Sequence, residues 1–148
     1  MENTPHFALP PFLTRKYVDE LTYGIVGAAI EVHQRMGPGL KEEVYEECMT
    51  IELDHLEIPW KQQYRFRPHY RGIQLKTTSI MDLIIDDLIV VELKSVAGIN
   101  ELHKAQALSY INLIKLPKAL ILNFNCTNLS SKGKQTMVNS IYAGLPAK

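Results

Sequence analysis

Two carboxylates and an ammonium interrupt the most apolar part of this chain: Asp82 within Met81-Asp82-Leu83-Ile84-Ile85, and Glu92 and Lys94 within Leu88-Ile89-Val90-Val91-Glu92-Leu93-Lys94. Runs this dense in Ile, Leu and Val read as strands covered on both faces, where a charge is costly unless it is paired or coordinates a metal. Glu92 and Lys94 stand two residues apart, so on a strand they share a face, while Leu93 turns to the other and leaves its carbonyl available. Two converging carboxylates suit a hard, oxygen-liganded divalent cation, with the lysine beside them free to act on a phosphate or a water. A purely structural ion pair would leave one of the two acids unmatched unless it stayed protonated.

The surrounding pattern places these strands in a mixed α/β sheet. Residues 1–13, with Pro5, Pro10 and Pro11, read as an extended arm. A helix is expected from about Tyr17 to Met36, where Leu21, Ile25, Ala28, Ala29 and Val32 recur at helical spacing before Gly37-Pro38-Gly39. A second helix is expected from about Leu40 to Leu56, with Val44, Cys48, Ile51 and Leu56 as its apolar stripe. From Trp60 the period changes to two, and Tyr70-Arg71-Gly72 makes a turn. Gln74 to Ile85 and Leu88 to Val96 read as strands, Asn100 to Ile114 as a helix capped by Asn100, and Lys118 to Phe124 as a buried strand. Residues 125–148 read as a loop-rich tail with a short element near Gln135 to Tyr142. The order helix, helix, three strands, helix, strand implies one domain with helices packed on a mixed sheet.

One condition follows from strand geometry. If Asp86-Asp87 closed a two-residue hairpin, Asp82 would pair with Val91 and face away from Glu92. Bringing both carboxylates to one face requires a loop of odd length or a bulge.

Sixteen basic and sixteen acidic residues give zero formal charge, which excludes a protein that coats nucleic acid by bulk attraction. The charges are nevertheless segregated. Seven acids and one base lie between Leu40 and Glu57, whereas Trp60 to Lys76 carries Lys61, Arg65, Arg67, Arg71 and Lys76 without an acid. Such a basic segment beside a carboxylate site suits a polyanion, although the same segment also reads as an ordinary strand with solvated bases. Cys48 and Cys126 have no CxxC partner, so neither a disulfide framework nor a zinc finger is indicated. No window resembles a membrane span or a secretory signal, and a cytoplasmic location is expected.

Asp82 followed ten residues later by Glu92-Leu93-Lys94 resembles the core motif of the PD-(D/E)XK nuclease superfamily. Gly39-Leu40-Lys41-Glu42-Glu43-Val44-Tyr45 resembles the GxxExxY signature of a bacterial and archaeal family within it, and Gln106-Ala107-Leu108-Ser109-Tyr110 is similar to the QxxxY helix motif of RecB-like nucleases. The resemblance runs from about Leu21 to Phe124 and implies a restriction-endonuclease-like mixed sheet flanked by helices. It assigns Asp82, Glu92 and the Leu93 carbonyl to a Mg²⁺ or Mn²⁺ ion, and Lys94 to the attacking water or the developing phosphate charge. It gives Glu42 a water held on the metal or a second ion, and gives Gln106 the water, the lysine or the substrate backbone. Tyr110 shares the face of Gln106 one turn on. Without the resemblance, Glu42 is ordinary first-turn helix chemistry and Gln106 a surface residue.

The expected activity is metal-dependent hydrolysis of DNA phosphodiester bonds, with Arg65, Arg67 and Arg71 guiding the backbone. Two alternatives share the residues: a noncatalytic module that holds nucleic acid or a protein on the same fold, and a phosphoesterase with another substrate. His103 is expected to line the cleft and His33 to pack or cap. A homodimer contact is expected on the first helix near Tyr17 and Tyr23; no membrane is implied, and the sequence names no protein partner.

Overall fold

In the computed structural model, which describes residues 7–148, five strands form one mixed sheet and helices cover both of its faces. Helix α1 (Arg15–Met36) starts at Thr14, whose hydroxyl accepts the Tyr17 N–H, and stops at Gly37, whose φ of 76° breaks the helical path. Helix α2 (Glu42–His55) follows. Together they bury Val18, Ile25, Ala29 and Val32 with Tyr45, Met49 and Leu53 against one face of the sheet.

The buried stripe of α2 differs from the sequence expectation. Ile51 and Leu56 are exposed, and the core-facing positions are Tyr45, Met49 and Leu53, with Glu46 and Thr50 beside them. An aliphatic stripe spaced 44, 48, 51 is offset by one residue, or about 100° of helix, from the true one at 45, 49, 53. Tyr45 and Glu46 carry polar atoms, and both are buried.

Strand β1 (Trp60–Phe66) is an edge, and a small hairpin of β2 (His69–Tyr70) and β3 (Ile73–Gln74) separates it from β4 (Ser79–Ile85). The segment expected as one strand from Gln74 to Ile85 is thus divided between the hairpin and the main sheet. Strand β5 (Ile89–Lys94), helix α3 (Glu101–Ile114) and strand β6 (Lys118–Asn123) form a crossover, which is why β5 and β6 run parallel while all other neighbours are antiparallel. Helix α3 lays Ala107, Ile111 and Ile114 on the second face, against Met81, Ile84, Val90, Ala119 and Ile121.

The tail contributes more than loops. After the short helix α4 (Leu129–Lys132), strand β7 (Lys134–Val138) pairs with β6 and completes the order β1-β4-β5-β6-β7; the short helix α5 (Ser140–Ala143) follows. The residues beyond it return to the start of α1. Pro146 and Ala147 carbonyls accept the Arg15 and Lys16 N–H groups, donors that a helix leaves without partners in its first turn. Lys118, almost fully buried, reaches Asp19 at 3.1 Å, and the Tyr142 hydroxyl donates to the same carboxylate. At the other end of the chain, residues 1–6 of the expected arm lie outside the described residues, and Phe7 packs its ring on Tyr64 at 5.4 Å.

Candidate active site

The turn between β4 and β5 sets the geometry. Leu83 pairs with Val91, Ile84 with Val90 and Ile85 with Ile89, so three residues, Asp86 to Leu88, make the connection. Asp86 and Asp87 both adopt positive φ (54° and 52°), a conformation Asp tolerates better than most residues. The odd length meets the parity condition and sets Asp82 opposite Glu92.

At that position the backbone ladder stops and side chains replace it. Glu92 Oε2 accepts the Asp82 N–H at 3.0 Å, and Asp82 Oδ2 accepts the Leu93 N–H at 2.8 Å. Each carboxylate therefore holds the other's strand, and the two strands part just beyond Leu83 and Val91. Since the N–H and C=O of one strand residue point to the same side, the Leu93 carbonyl is directed into this gap toward β4. The Lys94 carbonyl points the opposite way and accepts the Phe124 N–H on the β6 side.

Alternation along β5 puts Val91 and Leu93 in the core under α1 and α2, and Val90 in the core under α3. Glu92 and Lys94 therefore share the α3 side. Glu92 is almost fully buried, and Asp82 and Lys94 are half-buried. Burial first, and then the neighbouring Asp82 charge, push the Glu92 carboxyl up to about 8. Burial also raises Asp82, against the lowering effect of the Leu93 N–H, with Glu46 and Glu42 adding repulsion. Lys94 lowers both carboxyls through its charge without making an ion pair among the described residues.

Helix α2 arrives with its first turn at this end of the sheet. Glu42 Oε2 accepts the Ser95 N–H at 3.0 Å, so it fastens the segment immediately after Lys94. The rest of the Gly39-to-Tyr45 motif is structural. Tyr45 is fully buried, stacks on Phe124 with centroids 4.3 Å apart, donates its hydroxyl to the Gly37 carbonyl and accepts the Leu40 N–H. Gly39 has a φ of 88°, which a side chain would strain. Glycine and tyrosine thus build the loop that delivers Glu42.

Helix α3 contributes unevenly. Tyr110 is half-buried and lies close enough to Glu92 and Asp82 that their charges, after burial, raise its phenol. Gln106 is exposed, with no hydrogen bond to the carboxylates among the described residues. His103 belongs to the cap of α3. Its Nδ1 accepts the Asn100 N–H in a reciprocal cap, because the third helical position is where a side chain can reach back to that donor. His33 bonds the Cys126 carbonyl through Nε2 at 2.8 Å and lies beside the Phe124 ring. Arg65 lies on edge strand β1, Arg67 just beyond it and Arg71 in the β2–β3 turn, all exposed; they follow one margin of the sheet instead of sharing a strand.

Three residues of the neighbourhood escaped the sequence reading. Glu46, buried one turn after Glu42, accepts Gln62 Nε2 at 2.6 Å and Gln63 Nε2 at 2.8 Å. Gln63 has a φ of 50° and drops out of the β1–β4 ladder opposite Asp82, with its amide 3.5 Å from Asp82 Oδ1. Asn123 is buried beside Lys94 in the parallel register and clamps the Val96 N–H and carbonyl. The four-residue step from Glu42 to Glu46 was a readable sign of a shared helix face; nothing local marks the other two.

Among the described residues no three His, Cys, Asp or Glu side chains are grouped as a metal cage. The donors present suit a small hard cation all the same, because magnesium is commonly bound through one or two carboxylates while keeping several waters. Asp82, Glu92 and the Leu93 carbonyl are all oxygen donors, and the raised Glu92 carboxyl marks negative charge that the protein alone leaves poorly compensated.

A five-stranded mixed sheet flanked by helices, opening at the end of its two central strands, defines a restriction-endonuclease-like fold. A family model for the PD-(D/E)XK nuclease superfamily matches residues 19–136, and the chain belongs to that superfamily. No curated protein and no solved structure matches it.

Proposed function

We propose that the protein is a metal-dependent nuclease of the GxxExxY family that hydrolyses DNA phosphodiester bonds, with Lys94, Glu42 and Gln106 as its working side chains. The observation that carries this reading is the reciprocal bracing of Asp82 and Glu92 across the parted strands, with Lys94 on the same side. A structural ion pair would bring the ammonium onto a carboxylate; here the two acids hold backbone amides and the lysine is left available.

Asp82, Glu92 and the Leu93 carbonyl would hold a Mg²⁺ or Mn²⁺ ion, which when bound supplies Lewis-acid stabilisation of the charge on the scissile phosphate. Lys94 orients a water for in-line attack and stabilises the charge that develops on the phosphoryl oxygens. Glu42 keeps the segment after Lys94 in place and offers its second oxygen to water. Gln106, exposed one turn before Tyr110 on α3, would steady the water, the lysine or the substrate backbone. Arg65, Arg67 and Arg71 supply backbone attraction along the margin of the sheet, which positions nucleic acid without reading its sequence.

The test is cleavage of labelled linear, circular and single-stranded DNA by the purified protein with Mg²⁺, Mn²⁺ or EDTA, beside Glu92→Ala and Lys94→Ala. Metal-dependent cutting that both variants lose is expected. A folded protein that binds these DNAs and cuts none of them would favour a noncatalytic module on the same fold.

A further inference from the structure

The β2–β3 hairpin leaves the sheet between Phe66 and Ser79, at the end where β4 and β5 part. Asp82 lies three residues along β4 from that exit, about 10 Å at the rise of a strand. The hairpin is short but firmly built. Arg71 and Gly72 have φ values of 51° and 81°, the pair of left-handed residues that a tight two-residue hairpin turn requires. At its base the Leu75 N–H donates to the Pro68 carbonyl, and Arg67 Nε donates to the Leu75 carbonyl, both at 2.8 Å.

This rigid tip presents apolar side chains to solvent. Tyr70 and Ile73 are cross-strand partners flanking the turn, so they stand on one face, and they are 65% and 69% exposed. The chain segment that carries them holds Arg65, Arg67, Arg71 and Lys76, and no Asp or Glu occurs between residues 58 and 81. Such a surface repels a basic partner and attracts a polyanion. The paired side chains are an aromatic ring and an aliphatic branch, which carry a single hydroxyl between them and so offer chiefly apolar area instead of a pattern of donors and acceptors. They offer a surface for the flat faces of nucleobases, which become available only where bases are unpaired or unstacked.

We propose that the β2–β3 hairpin is a base-stacking wedge: Tyr70 and Ile73 pack against unpaired bases while Arg71 and Lys76 hold the adjoining phosphates, giving the protein a preference for forked or single-stranded regions beside the cut. This rests on the nuclease reading above and narrows its substrate.

The experiment uses the full chain carrying Lys94→Ala, so that DNA is not consumed, with Mg²⁺ present. Its binding to a forked DNA with 2-aminopurine in the unpaired arm is compared with binding to the matched duplex. Tyr70→Ser and Ile73→Ser are then added together; both positions are exposed, and an unchanged melting temperature verifies the fold. The single-substituted protein is expected to bind the fork more tightly and to change the 2-aminopurine emission. Adding the two serines is expected to weaken fork binding by about tenfold or more, the scale of losing one stacked base, to abolish the emission change and to leave duplex binding unaltered. Equal losses on both DNAs, or no loss on either, would overturn the wedge while leaving the nuclease reading intact. Failure of the Lys94→Ala protein to bind any of the DNAs would overturn both.

Discussion

Glu46 and Glu92 are both nearly buried carboxylates, and the protein surrounds them differently. Glu46 has two glutamine amides within hydrogen-bond reach, whereas Glu92 has one backbone N–H and a second acid as its neighbour. The consequence is measurable. In the unfolded chain Glu92 would lose its proton near 4.5, and in the folded protein it keeps it up to about 8. Between these values the folded state binds more protons, so stability is fully present below the lower value and falls as pH rises through the upper one. Melting temperatures of the metal-free protein, measured in EDTA from pH 5 to 9, are expected to decline across that window. Glu92→Gln should flatten the decline, and an equally steep slope in the variant would refute the assignment. A divalent cation competes with the same proton, so its stabilising effect should grow as pH rises.

At the scale of elements, the pairing of β4 with β5 decides whether a site exists. Adding one alanine inside β4, between Asp82 and Leu83, leaves Leu83 opposite Val91 but moves Asp82 one step along β5, opposite Leu93 and off the face of Glu92. The Asp82–Leu93 and Glu92–Asp82 hydrogen bonds are then lost. Nuclease activity should fall to background while far-ultraviolet circular dichroism retains the helix and strand signal; full activity in the insertion variant would show that register does not set the site. The elements themselves were readable where periodicity was strong. Helix α1, strands β5 and β6 and helix α3 lie where the alternation of apolar residues puts them, and β4 fills the later part of its expected run. The stripe of α2 was misread because its core face includes Tyr45 and Glu46, polar side chains whose partners lie in a loop and on another strand. Strand β7, exposed along most of its length, carries no apolar run that would announce it.

Across the whole molecule, contacts distant in sequence assemble what local pattern could not show. Asp82, Glu92 and Lys94 were legible because charges in an apolar run are conspicuous one residue at a time. Gln63 and Asn123 were not, because their significance comes from pairing partners 19 and 27 residues away. The C-terminal tail belongs to the same category. It adds β7 to the sheet, ties Tyr142 to Asp19 and completes the first turn of α1 through Pro146 and Ala147. Truncation after Val138 should therefore destabilise a helix more than 100 residues away in sequence, by about 2 kcal/mol or more from lost hydrogen bonds alone. A urea midpoint unchanged by the truncation would contradict this.

The facing acids also bear on how relatives of this chain can diverge. Residues gained or lost in the turn at Asp86 leave Ile85 opposite Ile89 and Asp82 opposite Glu92, so the acids place no limit on its length. One residue gained between Asp82 and Ile85, or between Ile89 and Glu92, sends the two acids to opposite faces of the sheet, and a lineage can change those stretches only by altering both strands together or by bulging the extra residue out of the ladder.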